Sequence, residues 1–377
     1  MKMKQKVLLS LAFVLLLGLG ISAKSFAAEV TNDSKGSKET VATGTQTESS
    51  VTVNSDTEQP EVSPSPTPEV KNGFVKENGK TYYYVNGVKK KGWLRKGSKK
   101  YFFSRRNAAM VTGKKKIDKY TYYFSGKGVM QTGIKEINGK KYYFAKKSGR
   151  MLTGKQKIKN NLYYMNKKGV IQRIVYGKKK MVALTYDDGP SYFTDDILDI
   201  LKKHNQVATF FVVGSRVNTY KKQMKRAYDM GCQIGNHTYD HTILTSAGNA
   251  KIKSQIKKTN VAIKKITGEK VVIMRPPGGG YNSSVGKAVN MPMILWSVDT
   301  RDWATRNATS TKNKVLKDVK DGDIVLMHDL YEPTAKASKT IIPKLVKKGY
   351  QLVTVSELAE LRGKKMKAKN AYFDFYK

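Results

Sequence analysis

Met181-Val-Ala-Leu-Thr-Tyr-Asp187-Asp188-Gly-Pro190 is the stretch on which the fold turns. An uncharged run carrying Val, Thr and Tyr reads as a strand buried on both faces. Two adjacent carboxylates end it, and Gly-Pro turns the chain away. Runs of the same texture recur at Ala208–Val213, Cys232–Gly235, Val271–Met274, Met293–Val298, Ile324–Met327 and Gln351–Val355. Amphipathic, lysine-rich stretches separate most of them, at Asp195–Lys203, Tyr220–Met230, Ala250–Ile266 and Lys336–Lys347. This alternation over residues 178–361 predicts an α/β domain built on a parallel sheet or barrel. Such folds place their sites at the C-terminal ends of strands, where the polar residues of this region collect. The last segment, 362–377, is basic and aromatic and carries no clear element.

Like charges as close as Asp187 and Asp188 repel, so the pair calls for a cation or an arginine. His237-Thr-Tyr-Asp-His241 holds two of the chain's four histidines. On a helix they would share one face and could grip a single cation. With one carboxylate from the first motif the donors become His, His, Asp and water, an open catalytic site rather than a closed structural one. In Arg275-Pro-Pro277-Gly278-Gly-Gly-Tyr281 the prolines stiffen a strand exit and the glycines let backbone N–H groups approach a ligand. Asp299-Thr-Arg-Asp302-Trp303 and Leu326-Met-His328-Asp329 end two further strands. A histidine oriented by a carboxylate is a general-acid arrangement. Taken singly, each motif also reads as an ordinary turn, loop or pair of surface histidines.

Taken together and in this order, the motifs Thr-Tyr-Asp-Asp-Gly-Pro, His-Thr-x-x-His, Arg-Pro-Pro-Gly, Asp-x-x-Asp-Trp and Leu-x-His resemble the polysaccharide deacetylase family (carbohydrate esterase family 4, the NodB-homology domain). Ala208-Thr-Phe-Phe211 is similar too, and Tyr186 stands where the family usually has Phe. The resemblance implies a distorted (β/α) barrel of seven or eight strands. It implies Asp187 as catalytic base, Asp188, His237 and His241 as ligands of a divalent metal, usually zinc, and Arg275 as the residue that holds Asp187 ionised. Asp302 would pair with His328, the general acid. Trp303 and Leu326 would line the acetyl pocket, with Pro277, Gly278 and Tyr281 on the substrate loop. A backbone N–H near Gly278 would face the oxyanion. The implied activity is removal of N-acetyl groups from an amino-sugar polymer, with N-acetylglucosamine of peptidoglycan the leading substrate. Chitin oligomers, an exopolysaccharide, O-acetylated xylan and N-acetylmuramic acid remain alternatives, as does a non-catalytic wall-binding protein.

The N-terminal part supplies the address. Basic Met1–Lys6, apolar Val7–Ile21 and small residues around Ala27 read as a secretory signal over 1–27, or else an uncleaved anchor. The expected product is secreted and wall-associated, with no stable membrane span after cleavage. Residues 28–72, rich in Ser, Thr and Pro, read as a disordered linker. In 73–173 aromatic clusters recur with a period near twenty residues, beside Asn-Gly and Gly-x-Met turns, which predicts a solenoid of β-hairpins. These repeats resemble the cell-wall-binding repeats of choline-binding and glucan-binding proteins. In that family a tryptophan after the repeat glycine helps cage a quaternary ammonium. Here it is Trp93 once, then Lys114, Ile134 and Lys155.

The formal charge is +42, from 71 Lys+Arg against 29 Asp+Glu. Between Gly73 and Lys180 the acidic residues are Glu77, Asp118 and Glu136. So lopsided a field points to anionic wall polymers as partner of the repeats, and the signal segment argues against nucleic acid. The single cysteine, Cys232, reads as a buried small hydrophobe.

Overall fold

The computed structural model describes residues 69–377. The expected signal segment and most of the expected linker lie outside the described residues. Among the described residues no helix is long and apolar enough to cross a membrane.

The repeats form antiparallel hairpins at 73–85, 92–103, 113–124, 133–144 and 154–165. At the Asn-Gly turns both residues take positive φ, 47° and 72° at Asn78 and Gly79, 51° and 68° at Asn138 and Gly139, as a two-residue hairpin requires. Methionines close three of these hairpins onto earlier ones. The amides of Met110, Met130 and Met151 donate to the carbonyls of Thr81, Lys100 and Thr121 at 2.7–2.8 Å. Phe103, Phe124 and Phe144 are thereby fully buried, which no single hairpin could achieve.

The barrel follows without a break. Its strands are β1 (Met181–Asp187), β2 (Thr209–Val212), β3 (Gln233–Asn236), β4 (Met293–Ile294), β5 (Val298–Asp299), β6 (Ile324–His328), β7 (Gln351–Leu352) and β8 (Ala371–Tyr372). The pairings run β3-β2-β1-β6-β5, all parallel, with β7 on the start of β1 and β8 on β4. Every residue of β1 is buried. Met181 and Ala183 face an inner core with Phe211, Ile273, Ile294 and Ile324. Val182, Leu184 and Tyr186 face the outer layer, where helices such as Thr194–Lys203 and Glu332–Lys347 pack. The two-residue period therefore carries Thr185 and Asp187 toward the barrel axis. Tyr186 stacks on Phe210, and its hydroxyl, 3.0 Å from Ser338 Oγ, has a partner in the apolar layer.

Three expectations need correction. The strand expected over Val271–Met274 is reduced to bridges from Met274 to Asn236 and Met293. Pro276 and Pro277 follow at once and cannot extend a ladder. The run Met293–Val298 splits into β4 and β5. The segment 362–377 joins the barrel: β8 pairs with β4, Asp374 bridges Asp323, and Phe375, 2% exposed, enters the inner core. A two-residue ladder among lysines leaves no periodic signal.

Candidate active site

The site lies at the C-terminal ends of β1, β3, β5 and β6. β1 ends on Asp187, and Asp188 turns the chain with φ +69°. Successive carboxylates thus point in different directions. Arg275 is fully buried, and four of its five N–H groups have acceptors. Nη1 donates to Asp187 Oδ1 at 2.8 Å and to Thr185 Oγ1 at 2.6 Å, Nε to the Ile294 carbonyl at 2.9 Å, and Nη2 to the Leu295 carbonyl at 2.8 Å. Its guanidinium also lies 4.4 Å over the Phe211 ring. Burial lowers its pKa and Asp187 opposes that shift.

The segment from His237 to His241 is a loop, not the helix turn that would have put both histidines on one face. Positive φ at Thr238 (+60°) and His241 (+63°) folds it back instead. The loop is pinned from outside the motif. Asn236 Oδ1 accepts from the Thr238 amide at 2.8 Å, and Gln255 Oε1 accepts from the Tyr239 amide at 2.7 Å. The rings of His237 and His241 end with centroids 5.1 Å apart.

Both histidines aim Nε2 at Asp188 Oδ1, at 3.2 and 3.1 Å. His237 Nδ1 lies 2.7 Å from the Arg275 carbonyl, which can only accept, so the proton of a neutral ring is on Nδ1 and its Nε2 is a lone pair. Asp188 Oδ1 is buried with no hydrogen-bond partner. Donor atoms of Asp188, His237 and His241 all fall within 4.8 Å of one another. Converging lone pairs around an orphaned carboxylate oxygen fit a divalent cation. Without one, protons take its place. Burial works against charge on Asp188, but the two imidazoles hold its carboxyl well below the usual range, and Asp188 in turn raises His241. Metal and protons therefore compete for the same atoms.

β6 sits beside β1 with His328 in register with Asp187. His328 Nδ1 meets Asp302 Oδ1 at 2.8 Å. Asp302 Oδ2 accepts from the His328 amide at 2.8 Å and from Thr334 Oγ1 at 2.6 Å. Burial disfavours the imidazolium, but the Asp302 hydrogen bond and charge, with Asp187 and Asp188, outweigh it and push His328 up to about 9. The next residue, Asp329, is buried and pushed up to about 7 by that burial, with Thr194 Oγ1 donating to it at 2.5 Å. It packs so tightly on Gly189 that a Cβ there would lie 2.2 Å from its Oδ1.

The expected pocket residues divide. Leu326 and Pro277 are buried, Trp303 is 48% exposed, and Gly278 turns the loop with φ +64°. Tyr281 is on the surface, edge-on to Phe373 of the C-terminal segment at 6.2 Å. Sequence reasoning missed Thr185, Asn236, Gln255 and Thr334, which orient site groups, and Tyr331, whose ring lies 6.0 Å from that of His328 under the guanidinium of Arg306. Thr185 opens the first motif but carries no role there, and none of the others has a spacing that marks it; each acts through a hydrogen bond or stack made only after folding.

The chain is similar to known proteins. A family profile described as polysaccharide deacetylase matches residues 175–292. A peptidoglycan-N-acetylglucosamine deacetylase of Bacillus cereus is 38% identical over 193 residues, covering 49% of this chain and 90% of that relative. The chain belongs to the polysaccharide deacetylase family. Peptidoglycan-N-acetylglucosamine deacetylase PgdA of Listeria monocytogenes is 44% identical over 196 residues, 52% of this chain, and the chain spans 41% of that relative's length. A solved structure described as T48 deacetylase with substrate is 40% identical, with TM-score 0.50, covering 52% of this chain and 96% of that one. Upstream, choline-binding repeat profiles match 111–151 and 131–170, and a cell wall binding repeat matches 72–87. The deacetylase profile begins at residue 175, inside the last repeat strand, Ile171–Tyr176.

Proposed function

We propose that the chain is a secreted, wall-associated hydrolase that removes N-acetyl groups from peptidoglycan, acting on N-acetylglucosamine. The observation that carries this reading is the Asp188–His237–His241 cluster, with Arg275-bound Asp187 on one side and Asp302-bound His328 on the other. The similarity to peptidoglycan deacetylases and the wall-binding repeats upstream support the substrate.

Asp188, His237 and His241 would hold a divalent cation, zinc in this reading, which supplies Lewis acidity to polarise the acetyl carbonyl and acidify water. Asp187 takes the water proton, and Arg275 keeps it charged and oriented for that transfer. The water oxygen bonds the carbonyl carbon, and a backbone N–H of the Gly278 loop faces the developing oxyanion. His328 gives its proton to the amide nitrogen as the C–N bond breaks, so acetate and a free amine leave. Asp302 and Thr334 fix the ring for that step. Trp303 and Leu326 wall the acetyl methyl. The repeats hold anionic wall polymers and keep the barrel at its substrate.

Incubation with purified peptidoglycan and, separately, chitin oligomers tests this reading. Mass spectrometry of the products should show acetyl loss from N-acetylglucosamine in peptidoglycan. Peptidoglycan left fully acetylated by the metal-loaded chain sinks it.

A further inference from the structure

In three of the repeats, the residue after the repeat glycine faces the first tyrosine of the next aromatic cluster. Phe74 lies 5.0 Å from Tyr101, Trp93 lies 5.0 Å from Tyr122, and Lys114 Nζ lies 4.5 Å from the Tyr142 centroid. A quaternary ammonium would need these ring faces. At two of the three positions the chain's own ammonium is already there. Lys114 sits over Tyr142, and Lys96 sits 5.6 Å over Phe74 and 5.5 Å over Tyr83.

The Trp93 position differs. Trp93 packs edge-on against Phe102 and Tyr122, keeps 38% of its surface exposed, and borders an open cavity of about 360 Å³. Met130 and Tyr122 form the apolar wall, and Arg95, Lys100 and Arg150 stand around it. Among the described residues none of these three cations has a carboxylate within ion-pair distance. Arg150 is also held in place, its guanidinium stacked 3.6 Å over Tyr120. An aromatic floor suits a sugar face, and three cations repel a fourth while attracting phosphate.

We propose that the Trp93 cavity binds a phosphate-bearing sugar unit of an anionic wall polymer, and that these repeats have given up quaternary ammonium as ligand. The sugar ring lies on the exposed face of Trp93, and Arg95, Lys100 and Arg150 take the phosphate. The inference deepens the wall-attachment part of the proposed function and leaves the deacetylase part independent.

The test uses the full chain labelled with 5-fluorotryptophan, the Trp93 fluorine signal being assigned with Trp93→Phe. The titrants are N-acetylglucosamine 1-phosphate, N-acetylglucosamine and choline chloride. The phosphate should saturate the Trp93 signal at about tenfold lower concentration than the uncharged sugar, the scale of one or two charge-assisted hydrogen bonds. That advantage should vanish in Arg150→Gln and in Lys100→Gln, whose thermal midpoints report that they fold, and shrink with added salt. Saturation by choline at or below the phosphate concentration overturns the proposal. So does equal saturation by sugar and sugar phosphate, or a Trp93 signal that none of the three moves. Because the signal comes from the repeats, each of these failures leaves the deacetylase reading standing, and loss of acetyl release would leave this one standing.

Discussion

Arg275 and Asp187 form an ion pair at 2.8 Å with both side chains out of water. Removing one partner of a buried pair leaves an uncompensated charge, a loss of about 3–5 kcal/mol. Arg275→Met should therefore lower unfolding stability by that order and cut turnover by no more than loss of Asp187 itself does. Arg275→Lys restores the charge but cannot reach Thr185, Ile294 and Leu295 as the guanidinium does. It should fall between the two in denaturant midpoint and stay below wild type in rate. A wild-type rate in Arg275→Met would remove the orienting role.

The proposed base, Asp187, and the proposed metal ligand Asp188 are adjacent in sequence but separable in effect. Asp187→Asn should cost about 10²–10⁴-fold in turnover while one metal per chain is retained. Asp188→Asn and His237→Gln should lose the metal as well, by elemental analysis of the dialysed protein. Wild-type deacetylation of a chitin oligomer by Asp187→Asn would exclude it as the base.

In the proposed mechanism His328 sets the alkaline side. Held near 9 by Asp302, it is protonated at neutral pH and ready to donate. The rate should fall as pH rises through about 9. Asp302→Asn removes the dominant raising contact, so the alkaline limb should move down toward the ordinary histidine value of about 6.5. The stability sign agrees. The folded value lies above the unfolded one, so the contribution of His328 is complete below about 6.5 and lost as pH rises through about 9. The stability difference between the metal-stripped chain and its His328→Gln variant should shrink across that window. An alkaline limb unmoved in Asp302→Asn would show that another group supplies the proton.

The barrel and its site were legible to different degrees, for physical reasons. Asp187, Asp188, Arg275 and His328 stand out because charged residues directly follow or end uncharged runs, whereas Asp302 opens a short helix past β5 and is marked by its motif alone. The geometry of His237 and His241 did not, since a spacing of four reads as helical while the chain reaches the same convergence through two left-handed residues. The helix Val355–Leu361 has a local signal, the Thr354–Glu357 capping box, but is too short for periodicity to expose. Thr334 and Gln255 act through partners far away in sequence, and so does the closure of the barrel by Phe375, which no window along the chain contains.

The same blindness hides the junction between repeats and barrel. Leu162 and Val175 belong to the last repeat, yet both are buried in the inner barrel core with Met181, Ala183 and Phe211. Arg173 pairs with buried Glu357 and lies 4.5 Å over Tyr164, while Lys155 reaches Glu360 at 2.5 Å. The last hairpin is thus a plug for the N-terminal end of the barrel rather than a bead on a linker. Leu162→Ala, a change wholly within the repeats, should destabilise the barrel by about 2–5 kcal/mol, as truncation of a fully buried leucine does. The loss should be read at the barrel tryptophans Trp296 and Trp303, in a chain where Trp93→Phe silences the repeat signal. If their unfolding midpoint does not move, hairpin and barrel fold independently. If it does, a deacetylase fragment cut at residue 178 should be less stable than the whole by at least as much.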